Sequence, residues 1–252
     1  MQNRILYTDK LCKTFSNGGV QQHILKNLDV EIYEGDFTVI MGSSGAGKST
    51  LMYSLSGMDK PTLGKIYFSG EEISKYSEDK LAIFRRKNCG FVFQQLYLLD
   101  KMSLLDNVLT SGLLVNKNKK ELVERAKELF EKVNIPEITQ AKFSSQVSGG
   151  EAQRAGIVRA LINKPTVIFA DEPTGALNSN NSGAVLDVMT DVNNDGQSIV
   201  MVTHDIKSAL RGSRIIYLKD GVVCGECILE KYVGEDVKRR EKLDAFLKEM
   251  GW

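Results

Sequence analysis

Short apolar runs recur along the chain, separated by turn-forming residues. Residues 37–41, 89–93, 166–171, 198–203 and 214–218 are apolar at nearly every position rather than at every second one. Continuous runs of that length predict strands buried on both faces. Residues 28–33 and 65–69 read as further strands, the first joined to 37–41 through a Glu34-Gly35-Asp36 turn. A Gly-rich loop follows residues 37–41, and residues 48–56 after it carry a helical pattern. Strands alternating with helices predict an α/β sheet.

From about residue 94 to residue 164 the pattern changes. Apolar positions at helical spacing fill 105–115, 119–133 and 149–163, with Pro136 and Pro165 as punctuation. This stretch predicts an all-helical subdomain, 94–164, inserted into an α/β core made of 1–93 and 165–234. Residues 235–252 form a charged tail with Val237, Leu243, Phe246, Leu247 and Met250 on a possible helical stripe. That helix either docks or regulates, or it packs on its own domain.

Composition narrows the class. The chain has 252 residues, 42% hydrophobic and 26% charged, and a formal net charge of +1. That describes an ordinary globular protein with a sizeable core. The charge balance predicts no nucleic-acid partner. No apolar run approaches the roughly 20 residues of a membrane-spanning helix. The start, Met1, Gln2, Asn3, Arg4, lacks the apolar stretch of a secretory leader. The expectation is a cytoplasmic protein. Cys224 and Cys227 form C-G-E-C, a spacing that suits a redox pair or half a zinc site, or two thiols on one strand. With no second C-x-x-C and no nearby His, two thiols on a strand is the preferred reading.

Gly42-Ser43-Ser44-Gly45-Ala46-Gly47-Lys48-Ser49-Thr50 has the G-x-x-x-x-G-K-[ST] spacing and lies between a predicted strand and a predicted helix. Glycines let the loop turn its N–H groups inward around phosphate oxygens. The helix that opens at Lys48 points a positive dipole end at the same anion. Lys48 adds a point charge, and Ser49 a hydroxyl for Mg²⁺, which takes oxygen ligands. Downstream, residues 166–170 end in Asp171-Glu172. Beside such a loop, Asp171 suits Mg²⁺ and Glu172 suits the general base that polarises an attacking water. Ser148-Gly149-Gly150-Glu151 opens another predicted helix. Its hydroxyl, glycine N–H groups and helix N-terminus make a second anion site, which one nucleotide has no evident need of.

With these motifs in this order, the sequence resembles the nucleotide-binding subunits of ABC transporters. Val147-Ser148-Gly149-Gly150-Glu151-Ala152-Gln153-Arg154 resembles the signature of that family. Phe91-Val92-Phe93-Gln94 resembles its Q-loop, Gly175-Ala176-Leu177-Asn178 its D-loop, and Val202-Thr203-His204-Asp205 its switch-histidine segment. Phe15 stands where the family places the aromatic that stacks on adenine. The resemblance runs from about residue 5 to residue 221. It implies a P-loop NTPase core of ABC ATPase type with an N-terminal antiparallel β subdomain and the helical insert.

It also implies the site. ATP and Mg²⁺ would be held by Phe15, residues 42–50 and, from a second copy, Ser148, Gly149, Gly150 and Glu151. Ser49, Gln94 and Asp171 would serve the metal. Glu172, His204, Gln94 and Lys48 would serve hydrolysis. Partners would be a second copy in an ATP sandwich and a membrane permease, which would hold the chain at the inner face of the membrane.

The stretch near 94–105, made apolar by Phe93, Leu96, Tyr97, Leu98, Leu99 and Met102, would either meet a helix of that permease or close its own core. Within the family, Asp171-Glu172-Pro173-Thr174-Gly175, Ser56 to Thr62 and Gly90 to Gln95 resemble the group of lipoprotein-release, macrolide-export and peptide-resistance transporters. That group implies a peptide, antibiotic or lipid-linked substrate. Departures are Asn178 where Asp is common, Glu151 where Gln is commoner, and Phe15 where Tyr is common. Two alternatives remain. One is an ABC ATPase acting on nucleic acid or ribosomes. The other is a phosphate-loop kinase, which would need neither Ser148-Gly149-Gly150 nor His204.

Overall fold

The structure is a computed structural model that describes residues 3–234 and 236–252, Asn17 by its backbone alone. Met1, Gln2 and Glu235, part of the expectations on the leader and the tail, lie outside the described residues. The chain divides into two compact units, one of residues 1–82 with 196–252, the other of residues 83–195.

The first unit opens with a long hairpin, β1 (Arg4–Asn17) and β2 (Val20–Leu28). Next come β3 (Glu31–Tyr33), β4 (Phe37–Met41), α1 (Lys48–Leu55), β5 (Leu63–Phe68) and β6 (Glu71–Glu72). Strands β2, β1, β5 and β6 are ordered side by side, and β3 pairs with β1, giving a five-stranded sheet. Its β1 pairings are antiparallel. The run 28–33 is not one strand. Asn27 takes φ 52°, and the Asp29 carboxylate accepts the Lys10 N–H at 2.7 Å. A side chain that bonds the backbone locally breaks the ladder, so pairing resumes only at Glu31.

α2 (Glu78–Asn88) crosses the division between the units. The second unit continues with β7 (Cys89–Phe93), α3 (Leu104–Gly112), α4 (Lys119–Lys132) and α5 (Glu137–Gln140). A 3₁₀ turn at Ser144–Gln146 leads into α6 (Gly149–Leu161), β8 (Val167–Asp171) and α7 (Ser179–Asn194). Between residues 94 and 164 the described residues hold no named strand, as the periodicity predicts. β7 and β8 pair in parallel, Phe93 opposite Asp171.

α6 is buried on nearly every side, at Ala152, Ala155, Ile157, Val158 and Leu161 among others, and packs on β7, α3, α4 and α7. Its last carbonyls, of Leu161 and Ile162, accept the Arg125 guanidinium at 3.0 and 2.9 Å. A cation at a helix C-terminus satisfies acceptors the helix leaves over.

The chain then returns to the first unit with β9 (Ser198–Val202), α8 (Ile206–Ala209), β10 (Arg214–Lys219), β11 (Val222–Ile228) and α9 (Val237–Glu249). In this unit the strands run β11-β10-β4-β9. β10, β4 and β9 are parallel, and β11 closes the edge antiparallel to β10. Every residue of β4 and β9 is buried, which explains their unbroken apolar runs. α9 sets Leu243 and Leu247 against the fold while Val237 is exposed. Tyr217 meets Phe246 and Trp252 edge-on. The tail thus packs on its own unit. Cys224 is exposed and Cys227 buried on β11, and both are free thiols.

No described helix is long and apolar enough to cross a membrane. A Cβ at Gly90 would stand 2.6 Å from the Ala160 carbonyl oxygen, so β7 approaches α6 only because residue 90 has none. Gly90→Ala should lower stability by about 1–3 kcal/mol, the usual range for overpacking. Urea unfolding of the purified chain measures it.

Candidate functional site

The phosphate loop is built within the first unit. β4 delivers the chain to Gly42 and the loop ends at Gly47, which precedes α1 in a left-handed conformation (φ 99°). A Cβ on Gly42 would lie 2.0 Å from the Leu218 carbonyl oxygen of β10. No side chain caps α1, so its first-turn N–H groups and dipole are those of an uncapped helix start, the arrangement that suits an anion. The loop is braced from the β10–β11 turn, where the Gly221 N–H donates to Ala46 O at 3.2 Å. The Lys48 ammonium is buried and donates to the Gly42 and Ser43 carbonyls, both at 2.9 Å. Phosphate oxygens are charged acceptors and bind an ammonium more strongly than carbonyls do. Ser43, Ser44 and Gly45 are exposed, whereas Ser49 and Thr50 are half-buried on the first turn of α1.

Also in the first unit, Phe15 on β1 keeps 46% of its surface exposed. The Lys13 ammonium lies 4.9 Å from its ring centroid. An exposed ring on a strand can stack on a base. His204 is exposed just after β9. Its neighbours are fixed: Thr203 N–H donates to Ile40 O at 3.2 Å, and Asp205 caps α8 by accepting the Ser208 N–H at 2.7 Å. His23 lies in β2, where Nδ1 is 2.8 Å from Thr14 Oγ1. Its hairpin alternates too weakly in polarity to read as strand, and backbone pairing decides the matter.

In the second unit the register of β7 and β8 brings two of the expected groups out together. Phe93 pairs with Asp171, so Gln94 and Glu172 both follow directly at the carboxyl ends of adjacent parallel strands. Glu172 holds φ 47°. A non-glycine residue in that region is held there by its surroundings, and such strain concentrates at functional positions. The Gly175 N–H closes a turn onto Glu172 O at 3.0 Å. A Cβ on Gly175 would stand 2.9 Å from Gln94 Nε2, so the D-loop backbone lies directly against the Q-loop side chain.

The signature opens α6 as a capping box. Ser148 Oγ accepts the Glu151 N–H at 3.2 Å, and Glu151 Oε2 accepts from the Ser148 N–H and hydroxyl, both at 2.8 Å. The Ser148 N–H, followed by its hydroxyl, holds the Glu151 carboxyl below its ordinary pKa. Cβ atoms on Gly149 and Gly150 would meet Leu177 at 3.2 Å and Asn181 at 2.9 Å. The two glycines therefore admit the D-loop and the first turn of α7.

Three polar residues shape this unit without standing out in sequence. Gln153 donates to Phe93 O at 3.1 Å, and Arg159 donates to Leu96 O and Tyr97 O at 2.8 Å each. Asn107, 2% exposed, accepts from Leu99 N and donates to the Leu99, Met102 and Ser103 carbonyls. A Gln and an Arg in a helix buried on most sides, and an Asn in an apolar face of α3, were the available signals, because buried polar groups are bonded.

Of the apolar segment, Tyr97, Leu99 and Met102 are exposed at 67, 54 and 37%. Phe93, Leu96 and Leu98 are half-buried. Phe143, 44% exposed, joins them through its bridge to Ser103.

Asn178 has a structural role at the head of α7, where its Oδ1 accepts the Asn181 N–H at 3.0 Å. Asn178→Ala should lower stability by about 1 kcal/mol, and Asn178→Asp should keep it, since either side chain caps equally well. Chemical denaturation of the three proteins distinguishes them.

The model of the ABC transporter family matches residues 25–175. An uncharacterised ABC transporter ATP-binding protein of Methanocaldococcus jannaschii is 42% identical over 211 residues, covering 84% of this chain and 94% of that protein. The ATP-binding protein of the lipoprotein-releasing system of Aquifex aeolicus is 42% identical over 203 residues, 81% of this chain and 90% of its own. Among solved structures, a dimeric ATP-binding cassette in a post-hydrolysis state with ADP and phosphate superposes with a TM-score of 0.83. It is 37% identical, covering 90% of this chain and 100% of that one. Loop, acidic pair, signature and these likenesses agree: the chain belongs to the ABC transporter family, as an ATP-binding subunit that hydrolyses ATP.

Proposed function

We propose that the chain powers a separate membrane permease that exports or extracts a peptide, antibiotic or lipid-linked substrate. Relatives in lipoprotein-releasing systems support that substrate class. The observation that carries the permease reading is the exposed apolar cluster of Tyr97, Leu99, Met102 and Phe143, which begins three residues after Gln94 where Arg159 holds the Leu96 and Tyr97 carbonyls. Exposed apolar groups held in a defined backbone shape suit a protein partner. That partner would place the chain at the inner face of the membrane.

In the nucleotide reading, residues 42–50 hold the phosphates and Phe15 stacks on the base. Mg²⁺, when bound, would neutralise charge developing on the phosphates. No cluster of three or more His, Cys, Asp or Glu occurs among the described residues. The Ser49 hydroxyl and the Asp171 carboxylate are oxygen donors, the type that suits an ion held chiefly by substrate phosphates and one or two protein oxygens. Ser49 and Asp171 are the proposed ligands, with Gln94. Glu172 is the general base for the attacking water, and its strained backbone aims the carboxylate. Gln94 orients that water and His204 holds the γ-phosphate, since phosphoryl transfer is mostly positioning and charge stabilisation. Lys48 draws charge off the β- and γ-phosphates. Ser148, Gly149, Gly150 and Glu151 serve the nucleotide of a second copy, which makes ATP the link in a dimer.

Glu172→Gln should reduce turnover on the order of 10²–10⁴-fold while sparing ATP binding. On gel filtration with Mg-ATP it should run as a dimer, and without nucleotide as a monomer. Wild-type turnover in this variant would remove Glu172 from the reaction. Paired Tyr97→Glu and Leu99→Glu changes should abolish co-purification with the co-expressed permease while ATP affinity of the isolated chain stays at the wild-type value.

A further inference from the structure

Arg239, on the first turns of α9, is 8% exposed although its side chain is the longest cation available. A buried guanidinium needs acceptors for its donors. Here it donates to Leu210 O at 2.7 Å, and to the carbonyls of Gly212 and Glu230. Leu210 is the C-terminal cap of α8, and Gly212 ends the turn after it. α8 is four residues long and opens at Asp205, directly after His204. A single turn of helix has almost no stability of its own. Its conformation rests on its two ends, Asp205 bonded to Ser208 at one and Arg239 at the other.

The surroundings make this anchor firm. A Cβ at Gly212 would meet Val39 at 2.5 Å and Phe37 O at 3.1 Å, so the turn lies hard against β4. Ser213 N–H donates to Phe37 O at 2.8 Å, and Leu229 N–H donates to Ser213 O at 2.7 Å. The Tyr232 ring lies under both the Arg211 and Arg239 guanidinium groups, at 4.4 and 5.6 Å. α9 itself is seated by Leu243 and Leu247, and by Met250 and Phe246, which would lie 2.9 and 3.2 Å from a Cβ at Gly225.

We propose that Arg239 is a positioning residue for ATP hydrolysis: by clamping the carbonyls at the end of α8 it fixes where that single turn, and His204 ahead of it, stands. The proposal rests on the reading of His204 as the group that holds the γ-phosphate. α9 is then a strut for the switch segment in addition to a terminal helix. An arginine suits the task because one planar fork reaches three carbonyls from two separate stretches of chain.

The test compares full-length wild type, Arg239→Ala, His204→Ala and the double variant. Mg-ATP turnover is read at saturating ATP, ATP affinity by equilibrium binding, and folding by thermal melting. Arg239→Ala should lower kcat about tenfold with ATP affinity within about twofold of wild type, because a small misplacement of a reacting group slows chemistry without weakening binding. The double variant should turn over no more slowly than His204→Ala, since residues acting through one group lose their effect together. Multiplied losses in the double variant would mark Arg239 as merely structural and overturn the proposal. So would wild-type kcat in a folded Arg239→Ala. Wild-type kcat in His204→Ala would overturn the catalytic reading of the histidine, and this proposal with it. If Arg239→Ala does not fold, Arg239→Lys carries the same comparison: it keeps the charge but lacks the fork, and an undiminished kcat in it would be equally fatal.

Discussion

The close seating of α6 on β7 is the contact on which the second unit depends. Gly90 removes the one atom that would hold helix and strand apart. Gln153 and Arg159 then tie the helix to the chain on either side of Gln94, at Phe93 and at Leu96 and Tyr97. The signature at the head of the helix, the Q-loop beside it and the acidic pair on the neighbouring strand are thereby parts of one rigid frame. Moving α6 moves all of them. An apolar helix alone would slide on an apolar strand. The two polar side chains set its register, because any other placement would leave Gln153 buried and unpaired and would break both Arg159 bonds.

Arginines recur in that role. Arg125 holds the end of α6, Arg159 holds the segment after Gln94, and Arg239 holds the end of α8. All three donate to backbone carbonyls rather than to carboxylates. A guanidinium keeps its charge at any physiological pH, and its donors are fixed in a plane. Such a clamp works without a titratable partner, and it reads the backbone of its target instead of its side chains.

Most of the candidate site was legible in the sequence because it sits in contiguous motifs of the residue types that a bound phosphate calls for. Residues 42–50, 148–151 and 171–172 could be read one by one. The core strands were legible because burial on both faces leaves an unbroken apolar run, as at β4 and β9. Where pairing rather than burial makes the structure, the sequence is quieter. β2 is exposed at most positions, and β1 carries register shifts at Leu11 and Lys13, so neither shows a clean period. α2 and α7 were equally quiet: α2 is dominated by charge, and α7 opens on an Asn- and Ser-rich turn that resembles a loop. The long-range clamps, Arg239 to Leu210 above all, leave no local mark, since their acceptors are backbone atoms that every residue carries.

Gly42 shows what such packing means for the gene. Its neighbour across the sheet, the Leu218 carbonyl, occupies the place where any side chain would begin. Glycine is the one amino acid without a Cβ, so every missense change at this codon brings the same collision, whatever residue it encodes. Ser43 and Ser44, one and two positions on, are exposed and have no such wall. Drift at the gene level can therefore rewrite the middle of the loop while its first residue has no synonym but itself.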